Sequence, residues 1–318
     1  MKATLGMNYR MLSSNLEDMS NRLYDLRRDA ATGKQMNRPS DNPSAIRPVL
    51  NYRTKLQSTD RYLDHINTAQ GDMQVLDSSL DQVENIMVAA KEAAIAVKNG
   101  ALNEADQKTY ADRVDQLFDE MLQAGNTQVN GKYVFSGYRE DTAAFVENPA
   151  YDPDTWDPAD ASTWAVHYQG DGNAKTVEIA PDKQIQSSLT GNELFLGDAD
   201  NDSAVDTEGT DLFSTLKNLA HAIREDDAAG IDTGLEKLEK GANQVRRLRG
   251  QMGNNAWRVE RAGEHLSGAA IEFEKIISGY EDADVLEVFS KLVQQETAFE
   301  AALNVTTRIS KLSILNYM

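Results

Sequence analysis

Asp198, Asp200 and Asp202 place three carboxylates at alternate positions of one short segment, and Asp206 and Glu208 follow closely. Alternating oxygen ligands are how a calcium loop begins. Such a loop needs glycine at its sixth position and a bidentate glutamate at its twelfth, where this chain has Ser203 and Gly209. A polar loop between elements is the favoured reading, with the three aspartates the only candidates for a metal. A second acidic run, Asp152-Pro153-Asp154 through Asp157-Pro158 and Asp160, consists of turn-forming Asp-Pro pairs. The histidines, His65, His167, His221 and His265, lie in separate segments without the i, i+4 or His-Glu-x-x-His spacing of a zinc site. The chain shows no nucleophile elbow, phosphate loop or dinucleotide fingerprint. Absent cysteine removes thiolate ligands, disulfides and a thiol nucleophile. These residues predict no catalytic site and no cofactor.

Charge narrows the partners. The formal net charge of −19 opposes binding to nucleic acid and to anionic membrane surfaces. The start, Met1 to Asn8, lacks the apolar core of a secretory signal, and no run approaches the roughly 18 apolar residues of a membrane span. The expectation is a chain that, if it leaves the cell, does so without a cleavable signal peptide.

The elements are read from apolar spacing. Tyr9, Leu12, Leu16, Met19, Leu23, Leu26 and Ala30 recur in steps of three and four, which keep side chains on one helix face. Near the other end Val285, Val288, Leu292, Phe299, Ala302 and Ile309 keep the same rhythm, interrupted by Gln295 and Thr306. Helices of this length are marginal alone, so both ends need a partner. Polar seam residues lower stability while specifying register. Leu12, Leu16, Met19, Leu23, Leu26, Leu292, Phe299, Leu303 and Ile309 are the candidate assembly residues.

Between the ends, the first helix should stop near Gly33, followed by a bend through Asn37 to Pro43. A second helix carries its stripe from Tyr62 to Val97, a rod of about 50 Å, and ends at Asn99-Gly100. A third runs from an N-cap at Asn103 to Gly125. Helical spacing returns at Leu212, Leu216, Leu219 and Ile223, then in a long rod after Gly230, with Gly279 separating the last helix.

The middle differs. Asn130-Gly131 signals a turn before a β-type run, Lys132 to Ser136, closed by Gly137. Trp164 to Tyr168 and Thr176 to Ile179, around Gly170-Asp171-Gly172, predict a β-hairpin, with Trp156 and Trp164 as its core. Sixteen acidic residues stand against two lysines between Asp141 and Asp211, which marks a solvent-facing insert. The predicted fold is mainly α: a long helical rod or bundle formed by both chain halves, terminal coiled-coil helices, and a small β-rich insert in the middle. The expected division is 1–45 with 281–318 for the terminal helices, 46–137 with 211–280 for the rod, and 138–210 for the acidic domain. The two ends should lie together.

Thr32-Gly33-Lys34 followed by Asn37-Arg38-Pro39-Ser40-Asp41-Asn42-Pro43-Ser44-Ala45 resembles the N-terminal signature of the bacterial flagellin superfamily. Asn130-Gly131-Lys132-Tyr133-Val134-Phe135-Ser136-Gly137-Tyr138 is similar to the segment where the superfamily's hook–filament junction members leave their rod, and Gln294-Gln295-Glu296-Thr297-Ala298-Phe299 is similar to its C-terminal region. Filament-forming flagellins are the competing branch. Met36, the two prolines and Asn42-Pro43 depart from their usual loop. The resemblance implies a structural flagellar subunit, not an enzyme, exported through the flagellar type III apparatus to an extracellular position. Its implied partners are hook-associated protein 1, flagellin, further copies of itself in a ring, and an export chaperone at the C-terminal helix.

Overall fold

A computed structural model describes the backbone of residues 5–100 and 103–315; within these, the side chains of residues 5, 6, 8, 9 and 309–315 lie outside the description. The chain divides into two compact units, Met1–Asp60 with Ser267–Met318 and Arg61–Leu266, and the division falls inside two long helices. The element order is α1 (Leu5–Thr32), α2 (Pro43–Asn99), α3 (Glu104–Gly125), β1 (Gln128–Val129), β2 (Lys132–Tyr133), β3 (Phe145–Glu147), β4 (Val166–Tyr168), β5 (Thr176–Ala180), β6 (Lys183–Gln186), α4 (Leu212–Arg224), α5 (Ala228–Glu281) and α6 (Val285–Leu315). Helices predominate and strands are short, as the spacing predicts.

In the terminal unit α1 ends where its glycine allows. Gly33 adopts φ +68° and its N–H donates to the Asp29 carbonyl at 2.9 Å, a left-handed C-terminal cap. Pro43, at the first helical position, opens α2 some twenty residues before its regular stripe begins. Pro48 lies one turn further in, where the N–H it lacks would have bonded the Ser44 carbonyl. The expected break at Gly279 does not occur: α5 runs on to Glu281, and the interruption is Asp282 to Asp284. Asp284 caps α6, its Oδ1 accepting from the N–H groups of Leu286 and Glu287. A lone glycine only weakens a helix, whereas a capping aspartate offers the chain a different path. Likewise α5 begins at Ala228, with Gly230 already inside it.

The middle unit holds the main core, a continuous set of buried apolar side chains from Ile66 to Val259. The stripes of α2, α3, α4 and α5 supply most of it, including Leu76, Leu80, Val114, Met121, Leu216, Leu219, Val245 and Leu248, each at most 1 % exposed. Asn103 caps α3 as predicted, its side chain accepting from the Asp106 N–H at 2.9 Å.

The β-rich segment forms three separate two-stranded ladders. β1 and β2 are joined by Asn130-Gly131, both at positive φ (52° and 80°), the conformation of a tight hairpin turn. The predicted pairing of residues 164–168 with 176–179 is wrong. β4 pairs with β3, and β5 pairs with β6 across a turn where Asp182 takes φ 60°. The glycine-flanked Asp171 is not a hairpin tip, because its carboxylate accepts from the N–H groups of Tyr138 and Asn173 and holds this loop against the chain after β2. Trp164 is buried as expected, but Trp156 is only half-covered, with the Lys237 ammonium 4.0 Å from its ring centroid.

The segment is centred instead on phenylalanines. Phe145 of β3 lies 5.0 Å from Phe213 of α4 and 5.1 Å from Phe195, and Phe118 of α3 packs edge-on to Phe213 at 5.8 Å. A Cβ on Gly125 would stand 2.8 Å from the Phe145 ring, so the end of α3 must be glycine for the strand to approach. Phe213→Ala removes the ring that touches the other three and should cost about 3–5 kcal/mol of middle-unit stability. Denaturant unfolding followed by tryptophan fluorescence measures it; a loss below about 1 kcal/mol would contradict the central role of this ring.

Candidate assembly interface

α1 and α6 pack along each other within the terminal unit, so the two chain ends do meet. Of the candidate residues only Leu23 is fully buried, at 7 % exposure. Leu12, Leu16, Met19 and Leu26 on α1 and Leu292 and Phe299 on α6 are half-buried, while Leu303 stays 45 % exposed. The side chains of Tyr9 and Ile309 lie outside the described residues. Gln295, the polar interruption, donates its side-chain N–H to the Met19 carbonyl at 3.4 Å, across the pair. Thr306 instead bonds the Ala302 carbonyl of its own helix. Arg27 and Glu296 form an exposed pair at 2.8 Å, of a kind that adds little.

The pair leaves apolar surface open. Met7, Met11 and Tyr24 on α1, and Leu286, Phe289, Val293 and Val305 on α6, are each about half exposed or more. Twelve of the seventeen exposed large apolar side chains among the described residues belong to this unit, which holds about a third of the chain. Its own buried apolar cluster is small: Met36, Ala45 and Val49, with Ile46 packed on it. Such an apolar surplus with a thin core is the composition of an interface.

What fixes this unit is a polar junction that the spacing does not reveal. Glu281, the last residue of α5, is 3 % exposed. Its carboxylate accepts from Lys34 at 3.1 Å and from Arg53 of α2 at 2.5 Å. Its carbonyl accepts from the N–H groups of Gln35 and Met36, and the Ala283 N–H donates to the Gly33 carbonyl. The exit of α1 thus pairs antiparallel with the entry to α6. The signature loop closes beside it. Asp41 accepts from the N–H groups of Asn37 and Arg38, which hold its carboxyl below the usual range, and Asn42 caps α2 through the Ala45 N–H. The only sequence hint of this junction is Lys34 in the quoted Thr32-Gly33-Lys34.

In the middle unit, the ligand oxygens of Asp198, Asp200 and Asp202 lie within 4.8 Å of one another. Their carboxylates already accept from their own loop: Asp198 from the N–H groups of Asp202 and Ser203, and Asp202 from that of Ala204. Burial raises the Asp198 pKa, and those N–H groups partly offset the rise. Asp211, the N-cap of α4, is the most perturbed carboxyl. Burial pushes its pKa up to about 6, against hydrogen bonds from Ser214. The Trp156 indole N–H faces it without reaching hydrogen-bond geometry, which leaves that N–H and Asp211 Oδ2 unpartnered.

Two family models match this architecture, the bacterial flagellin N-terminal helical region over residues 4–140 and the bacterial flagellin C-terminal helical region over residues 235–318. The chain belongs to the bacterial flagellin superfamily. Among curated members of that superfamily, it is 24% identical over 299 residues to flagellar hook-associated protein 3 of Escherichia coli (strain K12), covering 89% of each chain. It is 23% identical over 329 residues to flagellar hook-associated protein 3 of Salmonella typhimurium, covering 99% of this chain and 98% of that one. The crystal structure of the flagellar junction protein of Legionella pneumophila shares the fold with a TM-score of 0.57 at 13% identity, over 74% of this chain and 100% of that chain. Both flagellin matches take in the polar junction: the N-terminal one holds Lys34 and Arg53, the C-terminal one Glu281.

Two outcomes follow from these groups. Glu281→Gln should weaken the terminal unit by about 1–3 kcal/mol, because two half-exposed cations lose a buried carboxylate. Faster amide exchange at Gln35, Met36 and Ala283 would report it; unchanged exchange would discount the clamp. Asp211 binds its proton more tightly folded than unfolded, so its contribution is present below about pH 4 and fades as pH rises through about 6. Asp211→Asn keeps a cap and should remove that part of the pH dependence, as unfolding midpoints measured between pH 4 and 7 would show.

Proposed function

We propose that the chain is a structural subunit of the bacterial flagellum that joins the hook to the flagellin filament. The observation that carries this reading is the terminal unit, whose paired helices expose nine large apolar side chains among the described residues over a core of a few residues. Such a surface is completed by neighbouring helices of the same kind, which fits subunits that build a shared coiled-coil layer. The names of the relatives, spread over nearly the whole length of this chain, favour the junction over a filament-forming flagellin.

On this reading the subunit forms a ring of identical copies. Hook-associated protein 1 meets it on the hook side and flagellin on the filament side. An export chaperone covers the exposed face of α6 before assembly, and the assembled chain lies outside the cell. The half-buried residues Leu12, Leu16, Met19, Leu26, Leu292 and Phe299, with Leu303, become fully covered only in the assembly. Asp198, Asp200 and Asp202 serve the loop they cap.

Leu23→Asp or Phe299→Asp places a carboxylate in this seam, where it finds no partner. Each variant should be missing from sheared appendage fractions and leave cells without filaments, while the middle unit unfolds at the wild-type midpoint. Normal filament growth in either variant would overturn the proposal.

A further inference from the structure

A chain of net charge −19 repels its own copies, so contact between copies needs a local surface of the opposite sign. α5 carries one. Residues 246–261 hold five arginines and one glutamate. Arg246 and Arg249 are engaged with Glu84, Asp77 and Asp81 of α2. Arg247, Arg258 and Arg261 are exposed and form no ion pair among the described residues, although Arg247 acts at longer range on Glu193. With Asn254 these three fall at i, i+7, i+11 and i+14, on one helix face. Beside them Trp257 is 53 % exposed, with the Arg261 guanidinium 4.8 Å from its ring centroid. Trp257 walls an open groove of about 580 Å³ floored by Met73, Met252, Gly253 and Ala256. Arginine stacked on an exposed tryptophan beside an apolar groove is the make-up of an interface anchor.

Building on the ring reading above, we infer that this strip of α5 docks on the acidic outer face of α3 of the next copy. α3 carries six acidic residues against two basic ones. Its inner face is buried through Val114, Leu117, Phe118 and Met121. Its outer face presents Asp112, Gln116 and Asp119 at helical spacing, with Glu120 alongside. Asp112 shares Arg224 with Asp115, and Glu120 only approaches Arg113 at 3.9 Å, while Asp119 forms no ion pair among the described residues. The aspartates of the β-rich segment fit less well, because Asp152, Asp157, Asp160, Asp171, Asp198 and Asp206 accept N–H groups of their own turns. Two different patches in contact make a heterologous interface, the kind that closes a ring or propagates a helix.

The cysteine-free chain permits a direct test. Asn254→Cys and Gln116→Cys, exposed on the two proposed faces and uncharged in the parent chain, are combined in the same chain and expressed in cells lacking the wild-type copy. Oxidation of isolated appendages should give a ladder of disulfide-linked multimers, absent from either single variant. Independently, Arg258→Glu with Arg261→Glu should lower the amount of chain in appendages by about tenfold or more. Adding Asp119→Lys with Glu120→Lys to that chain should restore it. Circular dichroism at wild-type helix content keeps a loss attributable to contact. Absence of the ladder, or charge-reversed chains that assemble at the wild-type level, would overturn this interface. In either case the variant chain itself would still be found in the appendages, so that result would leave the junction reading standing.

Discussion

Glu281 carries out of water a charge that Lys34 and Arg53 neutralise, and around that carboxylate the terminal unit is organised. Three segments distant in sequence converge there: the exit of α1, Arg53 in the third turn of α2, and the end of α5. An unpaired buried carboxylate would be strongly unfavourable, so these segments can share one arrangement and few others. The backbone pairing of Gly33 to Met36 with Glu281 to Ala283 adds direction to the charge. It sets where α1 leaves and where α6 starts, and therefore which faces of those helices can meet. The half-buried seam from Leu12 to Phe299 follows from that choice.

The two units contrast in what stabilises them. The middle unit has a continuous apolar core and an aromatic cluster, enough for a cooperative fold. The terminal unit relies on the charged junction and on a seam that a single chain covers only in part. Helices in that condition sit at the low end of local stability. Ordering them fully carries an entropic cost that, on the proposed reading, neighbouring copies offset. The proposed assembly thus draws on the less stable unit, while the middle unit has a core of its own.

Legibility in the sequence tracked the range of the interaction. Features set within one helical turn were readable: the seams of α3 and α4, the Asn103 cap, the Gly33 stop and the Asn130-Gly131 turn. Features set by a distant partner were not. Nothing local distinguishes Glu281 from other glutamates, and its role exists only because residues 34 and 53 arrive beside it. The pairing of β4 with β3 depends on Phe145 meeting Phe195 and Phe213, a contact across about seventy residues. The missed break at Asp282 to Asp284 shows a glycine-based rule losing to a capping aspartate. That α1 and α6 would pair was readable from their apolar spacing, whereas how little of that seam a single chain buries needed coordinates. The α5 arginine strip gives no signal in the spacing, because its polar residues interrupt no apolar stripe.

The phenylalanine cluster bears on how this architecture can vary. Two of its rings, Phe118 and Phe213, belong to α3 and α4, and Phe135, Phe145, Tyr168 and Phe195 belong to the β-rich segment between them. The segment is therefore not a module set on a finished bundle, since its aromatic core is completed by rings of α3 and α4. A shorter or different outer segment can replace this one only if it delivers apolar side chains to the same two rings. Otherwise the helices would carry an uncovered aromatic patch where the β-rich segment joins them. Diversity at the exposed surface is tethered to a fixed aromatic socket, and only what lies beyond that socket is free to change.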